Sequence, residues 1–226
     1  MIGYRILKRH QTVGADVVAK FRQLPVANVS DSMSRMAAAG PRLRPIHGGS
    51  GVVLAGPALT VKVRPGDNLM LHKALDLALP GDVIVCDGGG DLTNALIGEL
   101  MISHAIVRRI AGIVINGAVR DAAAIRAGNY PVFAAGVTHR GPYKDGPGEI
   151  NVPIAIDGMV IAPGDLIVGD DDGVVCVPFG QVAAVLAATE AKQAAEVKQM
   201  ADIKAGRSDR SWIDATLMRL GCEIER

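Results

Sequence analysis

The chain has 226 residues, 49% of them hydrophobic and 21% charged, with Lys+Arg 24 against Asp+Glu 23 for a formal net charge of +1. That is enough chain for one domain or two small ones with a real core, and the balanced charge leaves no cationic field of the kind that gathers nucleic acid. Aromatic residues at 3% disfavour a base-stacking platform, and every apolar run is shorter than the ~18 residues of a membrane span.

Cys86, Cys176 and Cys222 are isolated in sequence. No CxxC occurs, so zinc-finger and thioredoxin-type chemistry lack their spacing, and unpaired cysteines suit a reducing, cytoplasmic setting. Residues 1–20 carry Arg5, Lys8, Arg9 and His10 without the apolar stretch of a signal peptide.

In chain order, Asp16 to Met36 reads as helical with a break at Pro25. The N-cap candidates Asn28, Ser30 and Asp31 point to a helix over 32–39 that Gly40-Pro41 ends. Val52 to Leu54 and Ala58 to Arg64 read as two strands, followed by the turn Pro65-Gly-Asp-Asn68. Leu69 to Leu79 is a helix, and Pro80-Gly-Asp82 launches the apolar strand Val83 to Cys86. After Asp87-Gly-Gly-Gly-Asp91 the pattern predicts a helix from about Thr93 to Arg109, then a strand Gly112 to Ile115 ending in a loop Asn116 to Asp121. A short helix Ala122 to Ala127 and a strand Val132 to Ala135 follow. All-apolar strands alternating with helices imply parallel pairing with the sheet covered on its faces. Four short strands beginning near Ile154, Met159, Leu166 and Val174 are separated only by turns, so they predict antiparallel hairpins. Pro80-Gly-Asp-Val-Ile-Val85 and Pro163-Gly-Asp-Leu-Ile-Val168 echo each other as a repeated turn solution rather than a duplicated domain.

Residues 1–178 form one compact domain in this reading, and 179–226 a helical extension. Val182 to Lys204 lacks Gly and Pro and as one helix would be about 35 Å long. Its thin apolar face, Val197, Met200 and Ile203, suits packing on a neighbouring subunit.

The sharpest chemical constellation is Gly98-Glu-Leu-Met101 with Arg120-Asp121. Each half follows a buried strand at or near a helix start, where open α/β sheets bind ligands. Exposed N–H groups at a helix N-terminus favour an anion, Arg120 is a bidentate partner for carboxylate or enolate, and Asp121 is a hard oxygen ligand for Mg²⁺ or Mn²⁺. The same Arg-Asp pair is also what a helix cap with a surface ion pair looks like. Asp87-Gly-Gly-Gly-Asp91 lacks dinucleotide-loop spacing, and Asp170-Asp-Asp-Gly173 reads as a hairpin turn rather than a metal loop. The five histidines show no metal-ligand spacing, and there is no GxSxG.

Taken together, Val29-Ser-Asp-Ser32, Gly56-Pro-Ala-Leu-Thr60, Pro65-Gly-Asp-Asn68, Pro80-Gly-Asp-Val-Ile-Val85, Gly98-Glu-Leu100, Gly117-Ala-Val-Arg-Asp121, Pro147-Gly-Glu-Ile-Asn-Val-Pro153 and Gly169-Asp-Asp-Asp-Gly-Val-Val175 resemble the RraA-like family over residues 25–215. That family holds regulators of ribonuclease activity and 4-hydroxy-4-methyl-2-oxoglutarate aldolases. Its enzyme branch carries an acidic residue, twenty residues, then Arg-Asp; Glu99 and Arg120 differ by 120 − 99 = 21, which leaves twenty between them. The family pattern can carry Asp at the first position, where this chain has the longer Glu99.

The resemblance implies a swivelling β/β/α fold assembled as homotrimers or homohexamers. It implies a divalent-metal-dependent aldolase that cleaves 2-oxo acids to pyruvate, with oxaloacetate decarboxylation as a companion activity. Asp121 would hold Mg²⁺ or Mn²⁺. Arg120 and the backbone of Gly98, Glu99, Leu100 and Met101 would hold the pyruvyl group, and Glu99 would place a water. A glutamate from a neighbouring subunit's C-terminal helix, Glu196 ahead of Glu190, would complete the site. The alternative is a non-catalytic inhibitor that docks on a ribonuclease; the long helix and the Cys222-Glu-Ile-Glu-Arg226 tail favour the aldolase branch. A methyltransferase is disfavoured by the absence of an S-adenosylmethionine loop.

Overall fold

The structure is a computed structural model that describes residues 1–224, so the last two residues of the tail lie outside the described residues. Its strands are β1 (Tyr4–Ile6), β2 (Arg44–Pro45), β3 (Leu54–Val63), β4 (Val83–Asp87), β5 (Ala95–Ile97), β6 (Gly112–Val119), β7 (Val132–Val137), β8 (Gly148–Ile150), β9 (Ile154–Ile156), β10 (Met159–Ile161), β11 (Leu166–Asp170) and β12 (Gly173–Val177). The α-helices are α1 (Ala15–Phe21), α2 (Val26–Ser32), α3 (Leu69–Leu77), α4 (Glu99–Val107), α5 (Ala122–Ala127), α6 (Val182–Lys204) and α7 (Ser211–Arg219).

The parallel core runs β3-β4-β6-β7. Residues 54–57 of β3 pair antiparallel with β11, and residues 61–63 pair antiparallel with β8. The two expected strands around Pro57 are therefore one strand: Ala58 N, next in the chain, bonds Asp165 O at 2.8 Å, so the missing proline donor interrupts nothing. Ile154–Ile156 with Met159–Ile161, and Leu166–Asp170 with Gly173–Val177, form the antiparallel hairpins.

One apolar cluster lies under α3, α4 and α5, with Leu71, Leu75, Ile84, Leu96, Ile102 and Ile125 among its members. A second joins β4 and β6 to the β9–β10 hairpin through Val83, Val114, Ile156 and Met159. A third packs α1, α2 and the start of α6 on β11 and β12 through Phe21, Val29, Val168, Val175 and Leu186. Fully burying such side chains contributes on the order of 1.5–3 kcal/mol each.

Three expectations are corrected by the structure. The helix expected over 32–39 sits earlier, at Val26–Ser32: Pro25, extended at φ −61° and ψ 137°, precedes it, and Asp170 Oδ2 accepts from Val26 N at 2.9 Å, so the cap comes from a distant hairpin. Left-handed Ser34 and Arg35 then end the helical course, and Ala38 bridges to Val175. Second, the helix expected from Thr93 is a loop and a short strand before α4 starts at Glu99. Ala95-Leu-Ile97 is apolar enough to be buried on both faces, and it finds the overrunning end of β6 as partner. Third, Asn116–Val119 continue β6 instead of looping out. Within the expected helical extension, Ser211–Arg219 forms a further helix.

The chain divides into two compact units, Met1–Thr189 and Glu190–Arg226. In the first, Val182, Val185, Leu186 and Thr189 of α6 are buried. In the second, Val197, Met200 and Ile203 are at least half exposed, at 66%, 52% and 50%. No helix among the described residues is long and apolar enough to cross a membrane.

Candidate active site

Two strand ends meet at one point. Arg120 N donates to Ile97 O at 3.0 Å, which ties the exit of β6 to the exit of β5 just before α4. Asp121 follows in the left-handed region, φ 58° and ψ 36°, a conformation an aspartate tolerates better than most residues. Its carbonyl accepts from Ile125 N at 3.1 Å and so starts α5. Its side chain turns to the other helix: Oδ2 accepts from Glu99 N, the first residue of α4, at 3.0 Å. Arg120 Nε lies 3.7 Å from the same oxygen, with the two side chains 43% and 40% exposed.

One carboxylate thus rests on the positive end of α4 beside a guanidinium, an arrangement that leaves Oδ1 without a protein hydrogen bond among the described residues. Gly98 makes this approach possible: a Cβ there would collide with Asp121 Oδ2 and stand 2.9 Å from Arg120 Cγ.

The pair opens onto a cavity of about 260 Å³, whose lining includes Gly98, Leu100, Met101, Arg120 and Asp121 together with Asn68, His72 and Lys144. Four of the five residues expected to hold substrate are therefore on one wall. The Glu99 side chain is exposed and absent from the lining, while its backbone N–H goes to Asp121. Glu196 belongs to the C-terminal unit, where it pairs with Lys192 at 3.2 Å, and Glu190 lies on the same helix.

No motif in the sequence joined Asn68, His72 and Lys144 to the Arg120-Asp121 pair. Asn68 is 3% exposed; its Nδ2 donates to Leu96 O at 2.9 Å, while Oδ1 is buried without a partner. The imidazole of His72 is held below its ordinary pKa, first by partial burial and then by the positive charges of Lys144 and His104, against the opposing pull of Asp76. The Pro65-Gly-Asp-Asn68 turn was the one available signal, since it places Asn68 at the mouth of α3 with His72 one helical turn on.

Asp87 and Asp91 serve the loop between β4 and β5. Asp87 Oδ1 accepts from Gly89 N and Asn116 Nδ2, both at 3.0 Å, and Asp91 accepts from Thr93. Asp170 and Asp171 likewise take backbone N–H groups of Val26 and Gly51, as befits a hairpin turn. No group of three or more His, Cys, Asp or Glu among the described residues is placed to hold a metal.

This fold and site can be set against known proteins. The family model described as RraA-like, Aldolase/RraA, matches residues 26–176. A protein of Halalkalibacterium halodurans that carries the provisional name 4-hydroxy-4-methyl-2-oxoglutarate aldolase is 44% identical over 179 residues, 79% of this chain and 84% of that protein. An uncharacterized protein from Pseudomonas syringae pv. tomato superposes with a TM-score of 0.78 at 28% identity, over 87% of this chain and 96% of its own. The RNA-processing inhibitor RraA from Thermus thermophilis superposes at 0.62 with 30% identity, over 68% and 92%. The mixed α/β domain, with these structural neighbours, has the RraA fold. The chain belongs to the RraA-like family.

Proposed function

We propose that this protein is a divalent-metal-dependent carbon–carbon lyase that cleaves 4-hydroxy-4-methyl-2-oxoglutarate-type 2-oxo acids to pyruvate and also decarboxylates oxaloacetate. The observation that carries the reading is the Arg120-Asp121 pair on the α4 N-terminus, opening onto one cavity. The aldolase name of the Halalkalibacterium relative supports it.

Both reactions leave a pyruvate enolate. Of the first-turn N–H groups of α4, that of Glu99 is committed to Asp121, so those of Leu100 and Met101 remain for the substrate carboxylate. Arg120 supplies a fixed cationic donor to the oxygen that gains charge, an effect worth roughly 3–4 kcal/mol for one well-placed donor. Asp121 Oδ1 is the oxygen available to Mg²⁺ or Mn²⁺; a single protein carboxylate suits Mg²⁺, which keeps several waters and takes further oxygens from substrate. When bound, such an ion polarises the 2-oxo group as a Lewis acid.

Glu99 is assigned to orient the water that returns a proton to the enolate carbon. Glu196 of a neighbouring copy in a homotrimer or homohexamer is assigned to the 4-hydroxyl proton, with Glu190 as the alternative. The buried free thiols of Cys86 and Cys176 accord with a cytoplasmic setting.

A coupled assay of pyruvate release from oxaloacetate and from 4-hydroxy-4-methyl-2-oxoglutarate tests the proposal. Turnover is expected only with Mg²⁺ or Mn²⁺ and to fall at least about 10²-fold in Arg120→Ala and Asp121→Ala. Undetectable turnover, or turnover indifferent to EDTA and to Asp121→Ala, would refute it. Mixing Asp121→Ala with Glu196→Ala protein is expected to restore part of the activity if Glu196 acts between subunits.

The likeness to the Thermus inhibitor favours one second reading, a protein that docks on a ribonuclease without catalysis. Co-purification with a ribonuclease at micromolar affinity, together with catalytic silence, would select it.

A further inference from the structure

We propose that Asn94 and Asp67, neither of which lines the cavity, are positioning residues: they fasten the loop 140–146 as a wall that fixes where the Arg120 guanidinium stands. The inference rests on the reading of Arg120 as the donor to the oxygen that gains charge.

Arg120 is held only loosely by its ion-pair partner. Its side chain is 43% exposed and its Nε lies 3.7 Å from Asp121 Oδ2, beyond hydrogen-bond length. An arginine side chain carries about 2 kcal/mol of rotamer entropy, and a donor that wanders loses much of its worth to a transition state. The loop supplies the missing confinement. Gly141 comes so close that a Cβ there would stand 3.4 Å from Arg120 Nη1, and Gly141, Pro142 and Lys144 share the cavity lining with Arg120.

The wall is set from the same strand that holds the Arg120 backbone. Ile97 O, at the end of β5, accepts from Arg120 N at 3.0 Å, and Ala95 N, at its start, donates to Arg140 O at 2.8 Å. Asn94, one residue earlier, donates from Nδ2 to Gly141 O at 2.6 Å. Guanidinium and wall are thus referenced to the two ends of one short strand.

At the other end of the loop stands Asp67, which has no exposed surface. Its Oδ2 accepts from Asp145 N and Gly146 N at 2.8 Å each, while Oδ1 accepts from Leu69 N, the first residue of α3, at 3.0 Å. Between the two anchors, Tyr143 N donates to Gly66 O at 2.8 Å and Tyr143 O accepts from Asn68 N at 3.0 Å. Arg140, Gly141, Tyr143, Asp145 and Gly146 are all tied through their backbone, so the loop is ordered before any substrate arrives.

Asn94→Ala removes one hydrogen bond at the surface and leaves the fold intact. In the full chain with Mg²⁺ it is expected to speed hydrogen–deuterium exchange at Tyr143 and to lower kcat for oxaloacetate by about tenfold, with KM little changed. The decisive readout is the cycle with Arg120→Ala: in that background Asn94→Ala is expected to cost nothing more, because the group that it positions is gone. A merely structural residue lowers both backgrounds alike. Asp67→Asn is expected to follow the same pattern, with faster exchange at Asp145 and Gly146; if it fails to fold, Asn94→Ala carries the test alone.

Unchanged exchange at Tyr143, an unchanged kcat, or an equal fall with and without Arg120 overturns the proposal. If the wild type releases no pyruvate from oxaloacetate, calorimetric titration with pyruvate takes the place of turnover. Weaker pyruvate binding in Asn94→Ala only where Arg120 is present then leaves the positioning standing and the lyase reading fallen, and no binding of pyruvate overturns both. If pyruvate is released and the loss ignores Arg120, the lyase reading stands and the positioning falls.

Discussion

Gly98 leaves room for the Asp121 carboxylate and the Arg120 side chain to approach the start of α4. A methyl group there meets the Asp121 carboxylate and Arg120 Cγ, while the backbone at φ −152° and ψ −167° is ordinary extended chain, so the requirement is for space and not for conformation. Gly98→Ala is therefore expected to cut oxaloacetate turnover by more than tenfold. The circular dichroism spectrum should be unchanged, because the displaced groups are two-fifths exposed and can swing into water. Asp121→Asn, which keeps an oxygen for Glu99 N but loses the charge, is expected to retain the fold and lose metal-dependent activity.

The Glu99…Arg120-Asp121 spacing and Gly98 were legible through the family resemblance, although the strand ends that carry them, Ile97 and Val119, were not read as such. Asn68, His72 and Lys144 were not. They come from a helix mouth, a helix and a loop, the last two 144 − 72 = 72 positions apart, and no local pattern encodes that meeting.

Among elements, the Pro-Gly-Asp turns repay comparison. In all three the aspartate N–H bonds back to the residue before proline: Asp67 N to Arg64 O at 3.0 Å, Asp82 N to Leu79 O at 3.0 Å and Asp165 N to Ala162 O at 3.1 Å. The middle glycines sit at φ +77°, +90° and +91°, the geometry that a type II turn demands. Each carboxylate is 5% exposed or less and takes N–H groups from its own turn or from a distant segment. Asp82 binds Leu79 N at 2.8 Å and Arg9 at 2.7 Å; Asp165 binds Ala162 N and Phe179 N, both at 2.8 Å.

The echo between residues 80–85 and 163–168 is thus a repeated local solution that also staples remote chain. Asp82→Ala strands Arg9, whose side chain is only 12% exposed, and is expected to destabilise by roughly 3 kcal/mol in urea unfolding, well beyond the cost of losing a turn alone. Helix positions were read less well than strands. The chain between Thr93 and Arg109 has helical composition throughout, yet its first part pairs with β6, since an available strand edge outweighs local propensity.

For the molecule as a whole, the N-terminal strand is held to the sheet by charge. β1 pairs parallel with β8, and Glu149 accepts from Arg5 Nε at 2.6 Å and Gly3 N at 2.9 Å. The hydrogen bond from Arg5, followed by that from Gly3, holds the Glu149 carboxyl below its ordinary value of 4.5. The unfolded chain therefore binds more protons than the native one between that value and the depressed one. The contribution is fully present above about 4.5 and lost as pH falls through the lower value. Amide-exchange protection of residues 4–6 is expected to drop on acidification below that range. In Glu149→Gln it should be low at every pH and flat across it.

By itself the sequence determined the alternation of apolar strands and helices, the turns, the hairpins, the long uninterrupted α6 and the Glu99…Arg120-Asp121 spacing. All but the last, which carries the family resemblance, are set by periodicity or by the covalent limits of Gly and Pro, which act within a few residues. Tertiary structure decided the rest: the cap of α2 by a hairpin carboxylate, the strand Ala95–Ile97, and the cavity where Lys144 joins Arg120. Those depend on which hydrogen-bonding edges and charges distant segments bring together, and that becomes defined only when the sheet has closed.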